Sequence, residues 1–206
     1  MIVVRAMRRA SFPRRRATLQ WIIRQIRSYG RNACMRKDLS ALRIINYPDP
    51  RLRKVCKPVE VFDEELAGLA GRMLELMRES QGIGLAAPQV GKLIRLFVCN
   101  VTGEPKDDLV FVNPVLSDLA GHIEGEEGCL SIPDVTVTMQ RAASCRMTAR
   151  DLSGKPIEKK AELLMARCWQ HECDHLNGRL IVDQMSETDR IANRRKLREL
   201  ERSFKG

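Results

Sequence analysis

A chain of 206 residues that is 44% hydrophobic and 30% charged has the make-up of one well-packed domain, and no apolar run in it approaches the ~20 residues of a membrane-spanning helix. The net charge of +10 suggests nucleic acid, yet ten Arg and one Lys fall in residues 1–37 without an acid, leaving 25 basic against 26 acidic side chains beyond them. The domain itself is near neutral, and seven cysteines, an odd number without a secretory signal, indicate a reducing compartment with thiols that are buried or bound to metal.

Residues 1–41 read as an extension. Within residues 18–29, Leu19, Ile22, Ile23 and Ile26 fall at helical spacing while Arg24 and Arg27 lie off that face. A basic amphipathic helix of this kind suits an anionic membrane surface or a mitochondrial or plastid presequence. The preferred reading starts translation at Met35, just before the globular pattern, which leaves residues 1–34 outside the fold and the protein in a bacterial cytoplasm. Arg24 and Arg27 interrupt the apolar run and exclude a secretory signal.

The folded part, residues 42–206, opens with Leu42-Arg43-Ile44-Ile45 and an extended piece pinned by Pro48 and Pro50. Asp63 is a candidate N-cap for a helix whose Leu66, Leu69, Ala70, Met73, Leu74 and Met77 form one core-facing stripe. Gly82 to Gln89 is rich in small residues without the spacing of a phosphate loop, so backbone there passes close to a ligand or another strand. Apolar, β-branched runs at 94–98, 109–112 and 135–137, with a further run at 146–151, predict antiparallel strands between helices, hence an α+β fold. A last helix at about 187–203 carries six basic residues and few apolar ones, the pattern of a solvated face.

Chemistry concentrates in Gln170-His171-Glu172-Cys173-Asp174-His175, an H-E-x-x-H motif. Histidines four apart on a helix share one face and can reach one ion, while the intervening Glu can touch water without being a ligand. Leu163 to Ala166 supply an apolar lead-in and Gly178 a stop signal. A catalytic metal needs a third protein ligand. No His follows His175, and the downstream acids Glu187, Glu199 and Glu201 lie on or beside a highly charged helix. Upstream, the candidates are His122 and Cys129, of which the thiolate is the softer ligand. Cys173 reads as a buried thiol, and Asp174 and Arg141 receive no role.

Three segments, Gly82-Ile83-Gly84-Leu85-Ala86-Ala87-Pro88-Gln89, Glu127-Gly128-Cys129-Leu130-Ser131 and the H-E-x-x-H segment, stand in an order and spacing that resembles the signature motifs of the peptide deformylases. The resemblance covers about residues 41–206. It implies an α+β fold of antiparallel sheets packed around the H-E-x-x-H helix, with a C-terminal helix behind. It further implies removal of the formyl group from N-terminal formylmethionine of new polypeptides, with release of formate. By resemblance, Cys129, His171 and His175 hold the metal, Glu172 is the general acid and base, and the Gln89 amide and Leu130 N–H stabilise the oxyanion. Fe²⁺ is the implied ion, with Zn²⁺, Ni²⁺ or Co²⁺ able to replace it. Ile83, Gly84, Leu164 and Cys168 are candidates for the walls of the methionine pocket. Partners are formylmethionyl nascent chains and, through the basic last helix, the ribosome; no membrane is required. Two competing functions are an H-E-x-x-H endopeptidase and a non-enzymatic, zinc-containing ribosome- or RNA-binding protein.

Overall fold

Asp63 does cap the first helix: its carboxylate accepts the Leu66 N–H at 2.9 Å and frees α1 (Glu64–Glu79) from one orphan donor. These observations come from a computed structural model that describes residues 39–205. The amphipathic segment at 18–29, the start at Met35 and all but the last three residues of the proposed extension lie outside the described residues.

The strands pair antiparallel, with successive side chains pointing to opposite faces. A five-stranded antiparallel sheet runs in the order β1 (Gly84–Ala86), β2 (Leu96–Cys99), β3 (Leu109–Ala120), β6 (Ser144–Arg150), β7 (Pro156–Glu162). Leu96, Val98 and Val112 point to one side and pack with Leu66, Met73 and Met77 of α1. Phe97, Cys99 and Phe111 point to the other, where Ala166, Cys168 and Trp169 of α2 (Leu163–Leu176) cover them. Trp169 meets Phe111 edge-on at 5.1 Å between ring centroids, which adds a directional contact to the burial.

A separate hairpin, β4 (Ile123–Cys129) with β5 (Ile132–Arg141), forms a two-stranded sheet. Its apolar side, with Ile132, Val135, Val137 and Met139, shares a core cluster with Leu52, Leu180 and Ile181. The architecture is α+β. Residues of α2 reach both sheets: Trp169 packs against the five-stranded sheet, and Arg167 and His171 bond to Glu127 of the hairpin.

Several boundaries differ from the sequence reading. The run at 109–112 continues to Ala120, and that at 135–137 widens to the whole of β5. Neither β4 nor β7 was expected. Ile-Glu-Gly-Glu-Glu-Gly-Cys carries three acids and two glycines, which intrinsic preference places in a loop, yet pairing with β5 overrides it. β7 is an edge strand with lysines at 159 and 160 and only Ala161 buried, so no alternation announces it. α2 stops at Asn177, with Gly178 at φ 72°; a Cβ there would stand 2.6 Å from the Arg53 carbonyl oxygen, which reserves the position for glycine.

The last helix, α3 (Glu187–Ser203), is not solvated all round. Asn193 donates to the Thr136 carbonyl at 2.8 Å, Lys196 pairs with Asp134 at 2.8 Å, and Leu197 and Leu200 pack against the hairpin cluster. A narrow docking stripe, sparing Ile191 at 75% exposure, is enough to seat the helix on β5.

Candidate metal centre

Helical geometry places His171 and His175 one turn apart on α2, their ring centroids 4.9 Å from each other. Cys129 arrives from the end of β4, where the pairing register shifts between Gly128 and Cys129 and turns the thiol inward. Its Sγ lies 3.2 Å from His175 Nε2. One ligand atom from each of Cys129, His171 and His175 falls within 4.8 Å of the others, and all three residues are buried. His122, the other upstream candidate, is exposed beyond the end of β3 and is not part of this group.

The donor chemistry fits a divalent cation. Burial pushes the Cys129 thiol up to about 12, so a bare thiolate here would be strongly disfavoured and a bound cation removes that penalty. Burial, with His171 and Arg141 nearby, holds His175 well below the ordinary histidine range, so its ring is neutral at pH 7 and offers a lone pair. His171 Nδ1 lies 3.1 Å from Glu127 Oε2, and donating its proton there leaves Nε2 free to ligate.

Glu127 is the centre of a buried ion cluster that the sequence reading did not foresee. It is fully buried and meets Arg141 Nε at 2.9 Å, Arg141 Nη2 at 2.9 Å and Arg167 Nη1 at 2.9 Å. Burial alone would raise its pKa, but hydrogen bonds and charge from Arg141 and His171 bring it down to about 2. Arg141 continues to Asp174 at 2.5 Å. Arg141 and Asp174, left without a role by the sequence, therefore form a chain through Glu127 to a candidate ligand. One local signal bears on it: Arg167 stands four before His171, on the same helix face.

Glu172 is buried at 1% exposure, and its Oε2 has no hydrogen-bond partner among the described residues. Desolvation, followed by the neighbouring Cys99 and Glu127, raises its pKa well above the ordinary carboxylate value. An unsatisfied buried carboxyl costs stability, and such groups concentrate where a proton is to be moved. Gln89, on the short 3-10 helix Ala87–Val90, accepts the Ala86 N–H through Oε1 at 2.8 Å. That bond fixes the amide so that Nε2 faces inward, 3.5 Å from Cys129 Sγ and 3.3 Å from Ser131 Oγ.

A small cavity opens over these groups, walled by Gly82, Gly84, Gly128 and Leu130 and floored by His171 and Glu172. Of the pocket candidates, Gly84 lines it, whereas Ile83 and Cys168 are buried beside it, with Cys168 Sγ 3.5 Å from the Ile83 carbonyl. Leu164 sits on the first turn of α2 at 40% exposure and does not line it. Gly84 is glycine for a steric reason: a Cβ would stand 2.3 Å from Glu172 Oε1 and 2.9 Å from Cys168 Sγ. Gly84→Ala is therefore expected to push the Glu172 carboxyl aside and lower kcat by roughly 10²-fold with metal content intact. Parallel assays of turnover and bound metal test this, and wild-type kcat would show that the carboxyl position is not set by this contact.

Comparisons with known proteins agree with the geometry. Residues 41–191 match the family model described as polypeptide deformylase. A peptide deformylase of Alkalilimnicola ehrlichii is 48% identical over 165 residues, covering 80% of this chain and 93% of that protein. The crystal structure of a peptide deformylase from Legionella pneumophila is 47% identical with a TM-score of 0.74, covering 79% of this chain and 96% of that one. The Plasmodium falciparum peptide deformylase aligns at 35% identity with a TM-score of 0.75, covering 78% and 95%.

Proposed function

The chain belongs to the peptide deformylase family, metal-dependent hydrolases that remove the formyl group from the N-terminal formylmethionine of new polypeptides, and we infer the division of labour among its residues as follows. Cys129, His171 and His175 would hold one divalent ion, whose contribution when bound would be Lewis acidity toward the formyl oxygen and water. Glu172 takes the proton of the attacking water at its unpartnered carboxyl oxygen. Gln89 Nε2 and the Leu130 N–H donate to the oxyanion that develops on the formyl oxygen. As the C–N bond breaks, Glu172 passes its proton to the departing amine and formate leaves. Ile83, Gly84 and Cys168 bound the methionine side chain in this reading, supported by the packing of Cys168 against Ile83 and Gly84, while Leu164, outside the cavity lining, has no part in it.

The observation that carries these assignments is the convergence of a buried thiol–imidazole–imidazole set, an unpaired carboxyl and an oriented amide on one cavity. The chain is expected to deformylate formyl-Met-peptide while leaving the N-acetyl analogue and internal peptide bonds nearly untouched, because the glycine walls admit only a small acyl group. Comparable cleavage of an unformylated protein would favour the endopeptidase instead.

Fe²⁺ is the proposed ion, with Zn²⁺, Ni²⁺ or Co²⁺ able to replace it in a Cys/His/His set. The proposed setting is a bacterial cytoplasm, in keeping with bacterial relatives at 42–48% identity; an organelle is the alternative if residues 1–34 are a transit peptide. No helix among the described residues is long and apolar enough to cross a membrane.

The ribosome is the proposed macromolecular partner of α3. Arg194, Arg198 and Arg202 recur every four residues, are exposed, and form no ion pair among the described residues, while the opposite stripe docks on β5. Such a row suits phosphates, with affinity that falls steeply with salt. Deleting residues 188–206 is expected to weaken low-salt co-sedimentation with ribosomes and spare hydrolysis of a short peptide. Equal co-sedimentation of both forms would remove the role from this helix.

A further inference from the structure

The face of α2 turned away from the metal ligands borders a second cleft, of about 380 Å³. Gln170, Cys173, Asp174 and Asn177 line it, centred roughly 130° round the helix from His171 and His175 at about 100° per residue. Its far wall is β3, which leaves regular pairing with β6 between Val112 and Val115 and again between Ser117 and Ala120, with Asn113 and Asp118 at positive φ. That wall leaves Val115 at 59% and Leu119 at 56% exposure, with Leu116 half-buried behind them. Apolar side chains exposed inside a concavity mark a binding surface more often than ones scattered singly over the outside.

The cleft also carries two cations that no acid neutralises. Arg95 donates to Asn177 Oδ1 at 3.0 Å and to the Pro114 carbonyl at 3.1 Å, both neutral acceptors, which hold the guanidinium in place and leave its other N–H groups without a partner among the described residues. Arg179 is exposed. Neither forms an ion pair with a carboxylate among the described residues. The single carboxylate in the lining, Asp174, is engaged by Arg141. Its negative charge beside the cleft disfavours a dianion and favours a group of one negative charge.

We propose that this cleft binds a small amphiphilic carboxylate, its head between Arg95 and Arg179 and its apolar chain along Val115, Leu116 and Leu119. The planar fork of a guanidinium matches a carboxylate, and a cleft of this size lies in the range of ~300–1,000 Å³ that small-molecule sites occupy.

Octanoate is the probe, titrated calorimetrically into the full, metal-loaded chain, with octanol and acetate as controls. A Kd on the order of 1 mM is expected for a ligand of this size, with both controls at least ~10-fold weaker because each lacks one half of the recognition. Arg179→Ala and Leu119→Asp replace exposed side chains, so melting temperatures stay unchanged while octanoate binding weakens roughly 5-fold or more in each. Octanoate binding at full strength in both variants would place the carboxylate elsewhere, at the metal centre for instance, and overturn the proposal. Absence of binding, or equal binding of octanol, would do the same.

Discussion

Replacing Glu172 with alanine is expected to lower turnover of formyl-Met-peptide by roughly 10³- to 10⁴-fold while bound metal stays at the wild-type level. The side chain is no ligand in the proposed set, so the site keeps all three donors. Its removal also takes away a buried carboxyl with an unsatisfied oxygen, so stability should hold or rise. Glu172→Gln keeps the shape without the ability to carry a proton and should lose a similar factor. Metal analysis, melting temperature and kcat measured on the same preparations separate these effects. A variant with kcat within ~10-fold of wild type would end the role of Glu172 as proton carrier.

Cys129→Ala is expected to lose metal and activity together, and His171→Ala and His175→Ala to behave likewise. Each removes one of three protein donors, and a divalent ion held by two imidazoles alone binds weakly. Activity should fall at least ~10³-fold, because the Lewis acid departs with the ligand. Anaerobic preparation with elemental analysis reads the metal and identifies the native ion in the same experiment. His122→Ala is the control: an exposed residue outside the cluster should leave both quantities unchanged. Normal metal content and turnover in Cys129→Ala would refute the ligand set at its centre.

What the sequence disclosed follows the range of the interactions involved. His171 and His175 are four residues apart, so helical periodicity alone brings them together. The α1 stripe and the Gly178 stop are equally local. Cys129 needed the likeness of three separated motifs, because no periodicity relates residues 129 and 175. The Glu127 cluster lay further out of reach: its bonds span 14 residues to Arg141, 40 to Arg167 and 44 to His171. Buried charges of this kind resemble surface charges until the fold pairs them. β4 illustrates the same limit, since its glycines and acids describe a loop by composition and a strand only by their partner. The docking stripe of α3 was hidden because two leucines and one asparagine suffice to seat it.

The β4–β5 hairpin forms no backbone ladder with the five-stranded sheet, and it contributes Cys129 while α2 contributes both histidines. An ion bound there acts as a removable cross-link, closing a loop that spans 46 residues between Cys129 and His175. Like a disulfide, such a link restricts the unfolded chain, and unlike one it can be withdrawn by a chelator. With the proposed ligand set, binding the ion and fastening the hairpin would be one event, and removal of the metal would release part of the constraint on the cavity that Gln89, Leu130 and Glu172 line.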